Sequence, residues 1–290
     1  MEPSLLTQML IGALLGLSVY LPLRCGQLSL ATPGFYAIGG TLAALLSTRM
    51  NALGGSDPSY PIGSVLLEMT LAGILCGVLA SGIGAVVLRL RGVYLAIATI
   101  ALVEILRVTT LNQEVLGGAV GIFGIPQPFD DPAGYAVFTL VWLALVCWLC
   151  ERLERNRLGR AMAAIRDDEL AAACQGIDTE RTKLVAFVLS AVVAGLTGVI
   201  SAHFLNSWNA RLGNFDASIT SLAFVVFGGS RTWAGPVLGG LALTALPELL
   251  RPIGDLRLIV FGLVILVGPL LLPQGLINPS LLGWLTRQRR

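Results

Sequence analysis

The side chains that could carry charge inside the apolar part of this chain are few, and the clearest are Glu104 and Arg107. They lie three residues apart in the otherwise apolar stretch IALVEILRV, a spacing that places both on one face of a helix. An ionisable residue within a membrane is costly and usually faces a partner or a water-filled cavity. The pair is therefore either a structural ion pair or part of a solute pathway, and the sequence leaves both interpretations open.

The other reactive residue types do not form a catalytic or metal-binding set. His203 is the one histidine, and Lys183, the one lysine, follows TERT and not a glycine-rich phosphate-binding loop. Cys147 and Cys150 lie one helical turn apart in an apolar run with no histidine nearby, a pattern that favours packing. We predict that the chain is not an enzyme, that it holds no metal or cofactor and forms no disulfide, and that His203 is an amphipathic side chain at a membrane interface.

The composition is that of an all-α, multi-pass membrane protein. Of the 290 residues, 55% are hydrophobic and 12% are charged, and the mean hydropathy is +0.81. Backbone groups in lipid must be satisfied within their own segment, so apolar runs of about 20 residues predict helices. We predict about nine transmembrane helices, at 4–23, 27–47, 65–88, 92–111, 134–150, 184–203, 217–230, 235–250 and 257–273.

Two details of this topology follow from local sequence. The segment 217–230 is short and is followed by GGSRTWAGP, so a re-entrant turn is the alternative there. Glu68 and Glu248 fall near the outer ends of their segments, where we predict that water reaches them.

The distribution of basic residues predicts the orientation. Placing residues 151–183 in the cytoplasm puts 14 of the 19 basic residues on that side and four outside, with Arg107 within a span. The N-terminus is therefore predicted outside and the C-terminus in the cytoplasm. The arginines are spread over several loops and form no single basic patch, so we expect no nucleic-acid partner.

The second predicted span contains residues that could bind a solute. In GQLSLATPGFYAIGG, residues 26–40, Pro33 and Gly34 interrupt a long uncharged run. A broken helix exposes backbone N–H and C=O groups, which is tolerated where it lines a cavity. A kink that serves packing alone is the alternative. The residues we predict to contact solute are Ser29, Thr32, Gly34 and Tyr36, with Glu104 and Arg107 as further candidates on the pathway.

The loop 151–183 contains 14 of the 36 charged residues, seven of each sign. Ala161, Met162, Ala164 and Ile165 can form an apolar face, and Asp167 or Asp168 can cap a second short helix, about Leu170 to Cys174, that stops at Gly176. Two short helices joined by a charged turn are suited to docking on a soluble partner protein. A solvated loop without a partner is the alternative.

At this loop the sequence resembles the membrane permease subunits of bacterial ABC importers, and specifically the branched-chain amino acid permease family. The similarity covers nearly the whole chain and is carried by several segments in the family's order. They are GQLSLATPGFYAIGG (26–40), LRLRGVYLAIATIALVEILR (88–107), GRAMAAIRDDELAAACQGIDTERTKLVAFVLSAVVAGLTG (159–198), FGGSRTWAGPVLGG (227–240) and LPQGL (272–276).

The resemblance implies one transmembrane permease domain over residues 1–290, in the bacterial cytoplasmic (inner) membrane. It implies a second permease subunit, as a heterodimer or homodimer, two cytoplasmic ATPase subunits that bind ATP and Mg, and an external substrate-binding protein. It further implies that residues 151–183 are a coupling loop that meets the ATPase. Within that loop, the residues implied to take part in coupling are Gly159, Arg160, Ala161, Arg166, Asp167, Asp168 and Gly176.

The cargo implied is a branched-chain or related neutral amino acid. The sequence departs from the family's usual pattern at Ala31, Thr32, Leu116 and Arg231, which leaves urea and short amides as alternative cargoes. A carrier or channel that works alone is a third interpretation, with Glu104 as its one clear intramembrane carboxylate.

Overall fold

The computed structural model describes residues 3–54, 60–129, 131–254, 256–271 and 275–276, and nearly all of its regular structure is helical. Two residue pairs form a small antiparallel ladder between β1 (Ile122–Phe123) and β2 (Ser207–Trp208). The helices are α1 (Pro3–Leu23), α2 (Thr32–Gly54), α3 (Ile62–Val87), α4 (Val93–Asn112), α5 (Pro132–Arg155), α6 (Arg157–Asp167), α7 (Glu169–Cys174), α8 (Thr179–Leu205), α9 (Phe215–Gly228), α10 (Ala234–Leu249) and α11 (Leu256–Leu271).

Five of these helices are long and apolar enough to cross a membrane, namely α1, α3, α4, α5 and α8. Each of the nine predicted segments overlaps one helix, and the other four are α2, α9, α10 and α11. Of these, α9 has 14 residues and α10 and α11 have 16 each. The helical class and five candidate spans are confirmed, and nine spans stay a prediction. Residues 272–274 of LPQGL and the arginines at 287, 289 and 290 lie outside the described residues.

The centre of the bundle is built on α1 and α8. In each of them 67% of the apolar window is buried, against 22% in α3 and in α4. Glycines let α2 approach α8 closely, because a Cβ on Gly39 would lie 2.1 Å from the Gly195 carbonyl oxygen and one on Gly198 would lie 2.1 Å from that of Tyr36. Backbone thus contacts backbone, the mode of packing that small residues allow between membrane helices.

Glycines four residues apart occur in α1, α3 and α10, and the pairs in α1 and α10 pack closely against a neighbouring helix. Cβ atoms on Gly12 and Gly16 would lie 2.2 Å from Thr244 Oγ1 and 2.8 Å from the Pro236 carbonyl oxygen of α10, and Gly235 and Gly239 face backbone at the C-terminal end of α9. The third pair, at 73 and 77, meets only side-chain atoms of Val192, Val188 and Leu196 at 3.5 Å or more, so its packing on α8 is looser.

The predicted second span, 27–47, begins in the wrong place. Residues 27–31 have no regular secondary structure, and α2 starts at Thr32 with Pro33 in its first turn. Proline loses no intrahelical hydrogen bond there, because the first N–H groups of a helix have no partner within it. Pro33 and Gly34 therefore mark the start of a helix and do not kink one.

The two ends of the bundle differ in charge. We call the end where α5 finishes and α8 begins the loop end, and the end where α8 finishes the far end. At the loop end, Arg24 donates to the Arg231 carbonyl oxygen at 2.6 Å, and Arg91 and Lys183 both contact Glu169. The structure therefore collects at one end several of the basic residues that charge counting assigned to one side of the membrane.

We predict that Gly198→Ala lowers the stability of the fold and that Gly82→Ala does not. The added methyl at 198 would overlap the α2 backbone, and overpacking of this kind costs about 1–3 kcal/mol. A Cβ at Gly82, on the exposed face of α3, has nothing within 4 Å. The midpoint of thermal unfolding in detergent measures both, and equal midpoints for the two variants would contradict the packing described.

Candidate functional site

Three parts of the chain meet beside α4: the irregular residues 27–31, the first turn of α2 and the first turn of α9. We call this meeting point the junction. The Leu30 N–H donates to Thr99 Oγ1 at 3.0 Å, and the Leu30 carbonyl accepts from Ser218 Oγ at 3.2 Å. Thr99 is the seventh residue of α4, so the junction lies about 9 Å along that helix from the loop end, at a rise of 1.5 Å per residue.

The residues predicted to contact solute in this region are all buried. Ser29 is 3% and Thr32 is 1% exposed, and Thr32 Oγ1 is a buried atom without a hydrogen-bond partner. Gly34 packs against α4, where a Cβ would lie 3.2 Å from Val103. The structure brings Ser29, Thr32 and Gly34 together at the junction, and any solute that reaches them must separate the helices around it.

Tyr36 lies on the far-end side of the junction and packs between helices. Its hydroxyl donates to Ser201 Oγ at 2.6 Å, and its ring lies edge-on to Trp208 with centroids 5.2 Å apart. Trp208 in turn donates from Nε1 to the Ala37 carbonyl and to Thr41 Oγ1. The chain after α8 therefore folds back into the bundle and covers α2.

The buried side chains of the junction are uncharged, and Asp216 in the first turn of α9 is exposed. Residues 27–34 offer hydroxyl, amide and backbone groups and contain no ionisable side chain. Gln27 Oε1, like Thr32 Oγ1, is buried without a partner. Such groups can hydrogen-bond a neutral polar or zwitterionic molecule but provide no full charge to bind an ion.

Glu104 and Arg107 lie next to this region on the surface of α4. They form an ion pair with 2.7 Å between Arg107 Nη2 and Glu104 Oε2, and their side chains are 36% and 28% exposed. Val103 and Leu106, which contact the Gly34 position, are their neighbours in sequence. The two residues are therefore paired, and their place on a solute pathway stays a prediction.

The other polar groups of the junction carry no signal in the sequence. A lone serine or threonine in an apolar helix commonly bonds its own backbone, as Thr139 does. Thr99 and Ser218 bond their own helices in this way and also reach another element, whereas Ser201, on the far-end side of the junction, accepts from Tyr36. Only the packing of the helices reveals them.

The loop 151–183 folds into α6 and α7. Met162 is fully buried and packs with Cys25 and Ala186. Asp168 caps α7, because its Oδ1 accepts from the N–H groups of Leu170 and Ala171 at 2.9 and 3.0 Å. The second short helix and its cap agree with the sequence analysis, and Gly176, in a left-handed conformation with φ of +83°, follows its end.

The residues predicted to form the coupling loop are not equivalent in the structure. Gly159 is buried, since a Cβ there would lie 2.1 Å from the Leu153 carbonyl oxygen, so it allows the sharp turn between α5 and α6. Arg160 and Ala161 line an open groove of about 1020 Å³ together with Arg157 and Ile177. Asp167 is exposed. This groove faces away from the bundle core and presents two basic residues and apolar atoms.

Arg166 points back into the bundle and not into this groove. It donates from Nη1 to the Ser230 carbonyl at 2.9 Å and from Nη2 to Ser230 Oγ at 3.1 Å. Ser230 lies in the turn that follows α9, and α9 is the helix that begins at the junction. Arg166 therefore bonds α6 to the turn at the end of α9. The sequence could not show this contact, because the two residues are 64 positions apart.

A buried polar cluster lies at the far end. His203 Nε2 is 2.6 Å from Glu68 Oε2, His203 Nδ1 is 2.8 Å from the Pro126 carbonyl, and Tyr60 donates its hydroxyl to Glu68. Glu68 is 0% and His203 is 1% exposed. The predictions that water reaches Glu68 and that His203 lies at an interface are wrong, because each satisfies the other inside the protein.

The tautomer of His203 follows from its neighbours. The Pro126 carbonyl can only accept, so Nδ1 carries a proton, and the contact between Nε2 and Glu68 holds one further proton. Burial and the bond to Glu68 raise the pKa of the Tyr60 phenol, which keeps it a donor. The cluster joins α3, α8 and the segments before α3 and α5. Among the residues described, no three His, Cys, Asp or Glu side chains are placed to hold a metal ion.

Comparison with known proteins identifies related sequences. Residues 3–268 match the model of a family described as branched-chain amino acid transport system / permease component. The high-affinity branched-chain amino acid transport system permease protein LivM of Escherichia coli K12 is 32% identical over 293 residues, which cover 91% of this chain and 66% of that protein.

More distant relatives differ in their named cargo. The probable branched-chain amino acid transport permease protein LivM of Methanocaldococcus jannaschii is 26% identical over 74% of this chain and 66% of its own length. The ribose import permease protein RbsC of E. coli K12 is 26% identical over 80% of this chain and 70% of its own length. The chain thus spans about two thirds of the length of these relatives. No solved structure matches.

We predict that Glu68→Ala destabilises the protein and that Glu248→Ala has little effect. The first change leaves two buried polar groups, on His203 and Tyr60, without a partner, at about 1–3 kcal/mol each. Glu248 pairs with Arg251 at the surface, with side chains 46% and 72% exposed, and such pairs contribute at most about 1 kcal/mol. Thermal unfolding in detergent compares them; a Glu68 variant as stable as the Glu248 variant would contradict the buried cluster.

Proposed function

Because the chain belongs to the family of permease components of branched-chain amino acid transport systems, we propose that it forms part of the pore of an ATP-driven importer. The importer resides in the bacterial inner membrane and takes up branched-chain or related neutral amino acids. The relatives are named as permease proteins, and ATP hydrolysis is assigned in this proposal to a separate subunit.

The observation that carries the proposal is a continuous set of hydrogen bonds from α6 to the junction. Arg166 of α6 bonds Ser230 in the turn that follows α9. At the other end of α9, Ser218 bonds the Leu30 carbonyl. A displacement of α6 therefore acts directly on the helix that closes the junction, as a permease driven by an external motor requires.

The open groove on α6 is where we place the ATPase subunits. It is lined by Arg157, Arg160 and Ala161, and it is turned away from the bundle core. The ATPases would bind ATP and Mg, for which this chain shows no glycine-rich loop of its own. Residues 151–183 act in this proposal as the coupling loop, with Gly159, Asp168 and Gly176 shaping its turns.

The second permease subunit is placed against α4. Ile105 and Val108 on that helix are 62% and 44% exposed, and the Glu104–Arg107 pair lies beside them. Charges in contact with lipid are costly, so this surface is better covered by a second permease or by the water of a shared pore. The remaining surface contacts lipid, and an external binding protein delivers the solute at the far end.

The topology proposed is a single permease domain, 1–290, with nine transmembrane helices, the N-terminus outside and the C-terminus in the cytoplasm. The turn after α9 supports it, because this turn reaches the loop end: the Trp233 N–H donates to Glu154 at the end of α5. The chain therefore runs from the far end to the loop end between α8 and that turn, which is what a crossing requires and a re-entrant loop does not.

The groups at the junction support a neutral amino acid as the cargo. These uncharged hydrogen-bonding groups, with the Glu104–Arg107 pair nearby, suit a small zwitterion. Sugar import is the competing cargo, because a ribose permease is among the relatives. Uptake assays with leucine, valine and ribose, in vesicles holding the whole assembly, decide between them.

We predict that Arg166→Ala uncouples ATP hydrolysis from uptake. The variant loses both bonds to Ser230 but leaves the outward groove of α6 unchanged, so the ATPases stay bound. In vesicles, the number of solute molecules carried per ATP falls several-fold, and Arg166→Lys restores it in part. The matched control is Arg211→Ala, an exposed arginine that follows α8. A normal ratio in Arg166→Ala would reject this route, whereas failure of the unaltered chain to bind any ATPase would reject the proposed function itself.

We predict that Thr32→Val changes uptake without releasing the ATPases. The hydroxyl at Thr32 has no partner within the protein, so its loss leaves the fold intact and removes one hydrogen bond to solute, a change of about 2- to 10-fold in KM. Thr139→Val is the control, since Thr139 is equally buried but bonds its own helix. Identical KM values in the two variants would exclude Thr32 from the pathway.

A further inference from the structure

Three arginines surround one cavity at the loop end, and we call it the arginine cavity. It has a volume of about 330 Å³ and is lined by Arg24, Arg166 and Arg231 with Ala163, Asp167 and Thr232. The lining comes from the segment after α1, from α6 and from the turn between α9 and α10. The lining residues include three arginines and one aspartate, so the cavity carries an excess of positive charge.

Two of these arginines donate hydrogen bonds to backbone carbonyls of the turn between α9 and α10. Arg24 donates to the Arg231 carbonyl at 2.6 Å, and Arg166 donates to the carbonyl of the preceding residue, Ser230, at 2.9 Å. The guanidinium groups of Arg24 and Arg166 therefore bond the carbonyl oxygens of two consecutive residues in one turn. Arg231 itself belongs to that turn. Positive charges gathered around one cavity repel one another, and a bound anion reduces that repulsion.

Two polar atoms in this cavity lining are buried without a partner. They are Arg24 Nε and Thr232 Oγ1, both enclosed from solvent. The nearby carboxylate of Glu154 does not serve them, because it accepts from the Tyr20 hydroxyl and from the Trp233 N–H. Both atoms are closed to a water-sized probe, so a ligand in the cavity contacts other parts of the arginine side chains that line it and does not reach these two atoms.

We propose that the arginine cavity binds a phosphate group. The planar guanidinium fork matches the oxygens of a phosphate. The volume is about that of ten water molecules, which admits one phosphate and a few waters. The source is either free inorganic phosphate or the headgroup of an anionic phospholipid, since basic pockets between membrane helices bind such headgroups.

A bound phosphate would tie together α1, α6 and the turn after α9, at the place where α6 is bonded to the bundle. This inference does not depend on the cargo or on the ATPase, because it concerns the isolated chain. Its experiment can therefore succeed or fail independently of the proposed function.

The experiment measures the thermal unfolding midpoint of the purified full-length chain in detergent. Sodium phosphate is titrated against sodium chloride at matched ionic strength, and phosphatidylglycerol against phosphatidylcholine in mixed micelles. We expect stabilisation by phosphate, by phosphatidylglycerol or by both, and the arm that responds identifies the source.

Variants test whether the cavity is responsible. Arg231→Gln keeps the backbone carbonyl that Arg24 uses but removes one charge, and it should weaken the apparent affinity at least tenfold. Thr232→Val removes a hydroxyl that is closed to the cavity and should leave the apparent affinity unchanged. Arg211→Gln, an exposed arginine that does not line the arginine cavity, is the control.

Two results would overturn the proposal. One is the absence of stabilisation by both phosphate and phosphatidylglycerol over their controls. The other is an equal loss in Arg231→Gln and Arg211→Gln, which would show charge screening at the surface without a specific site.

Discussion

The structure depends on how the polar groups of one residue, Leu30, are satisfied inside an apolar bundle. Its N–H and its carbonyl have no helical partners, and side-chain hydroxyls of Thr99 and Ser218 take their place. Residues within a helix bond the helix's own backbone. A segment without regular structure that lies between helices must instead find donors and acceptors on its neighbours. This requirement fixes α2, α4 and α9 relative to each other and leaves hydroxyl groups where a polar solute could compete for them.

Buried polar groups at the loop end and at the far end differ in whether they have hydrogen-bond partners. At the far end, Glu68, His203 and Tyr60 satisfy one another completely and are sealed from solvent. At the loop end, arginines rest on backbone carbonyls, and two buried polar atoms lack partners. A closed network holds helices in one arrangement, whereas groups that lack partners are available for a second arrangement. The contrast agrees with a protein anchored at one end and moved at the other.

Helix positions could be predicted from the sequence because they follow from runs of apolar residues, a local property. The short helix after Asp168 could be predicted for the same reason, since its cap lies within three residues of the groups it binds. The start of α2 could not, because Pro33 fits both a kink and a first turn, and only the bonds made by distant residues decide between them. The pairing of Glu68 with His203, 135 residues apart, has no local signal at all. The candidate site was thus predicted in its residue types but not in its contacts.

The return of the chain after α8 has a consequence for the order of assembly. Trp208 occupies a groove over Gly40, where any Cβ would lie 2.0 Å from the indole ring, and its N–H bonds the α2 backbone. That groove exists only after α2 and α8, made early and late in synthesis, have packed together. The closure over α2 therefore needs α2 and α8 to be packed together, and Trp208 then covers hydrogen-bonding groups of α2 at Ala37 and Thr41.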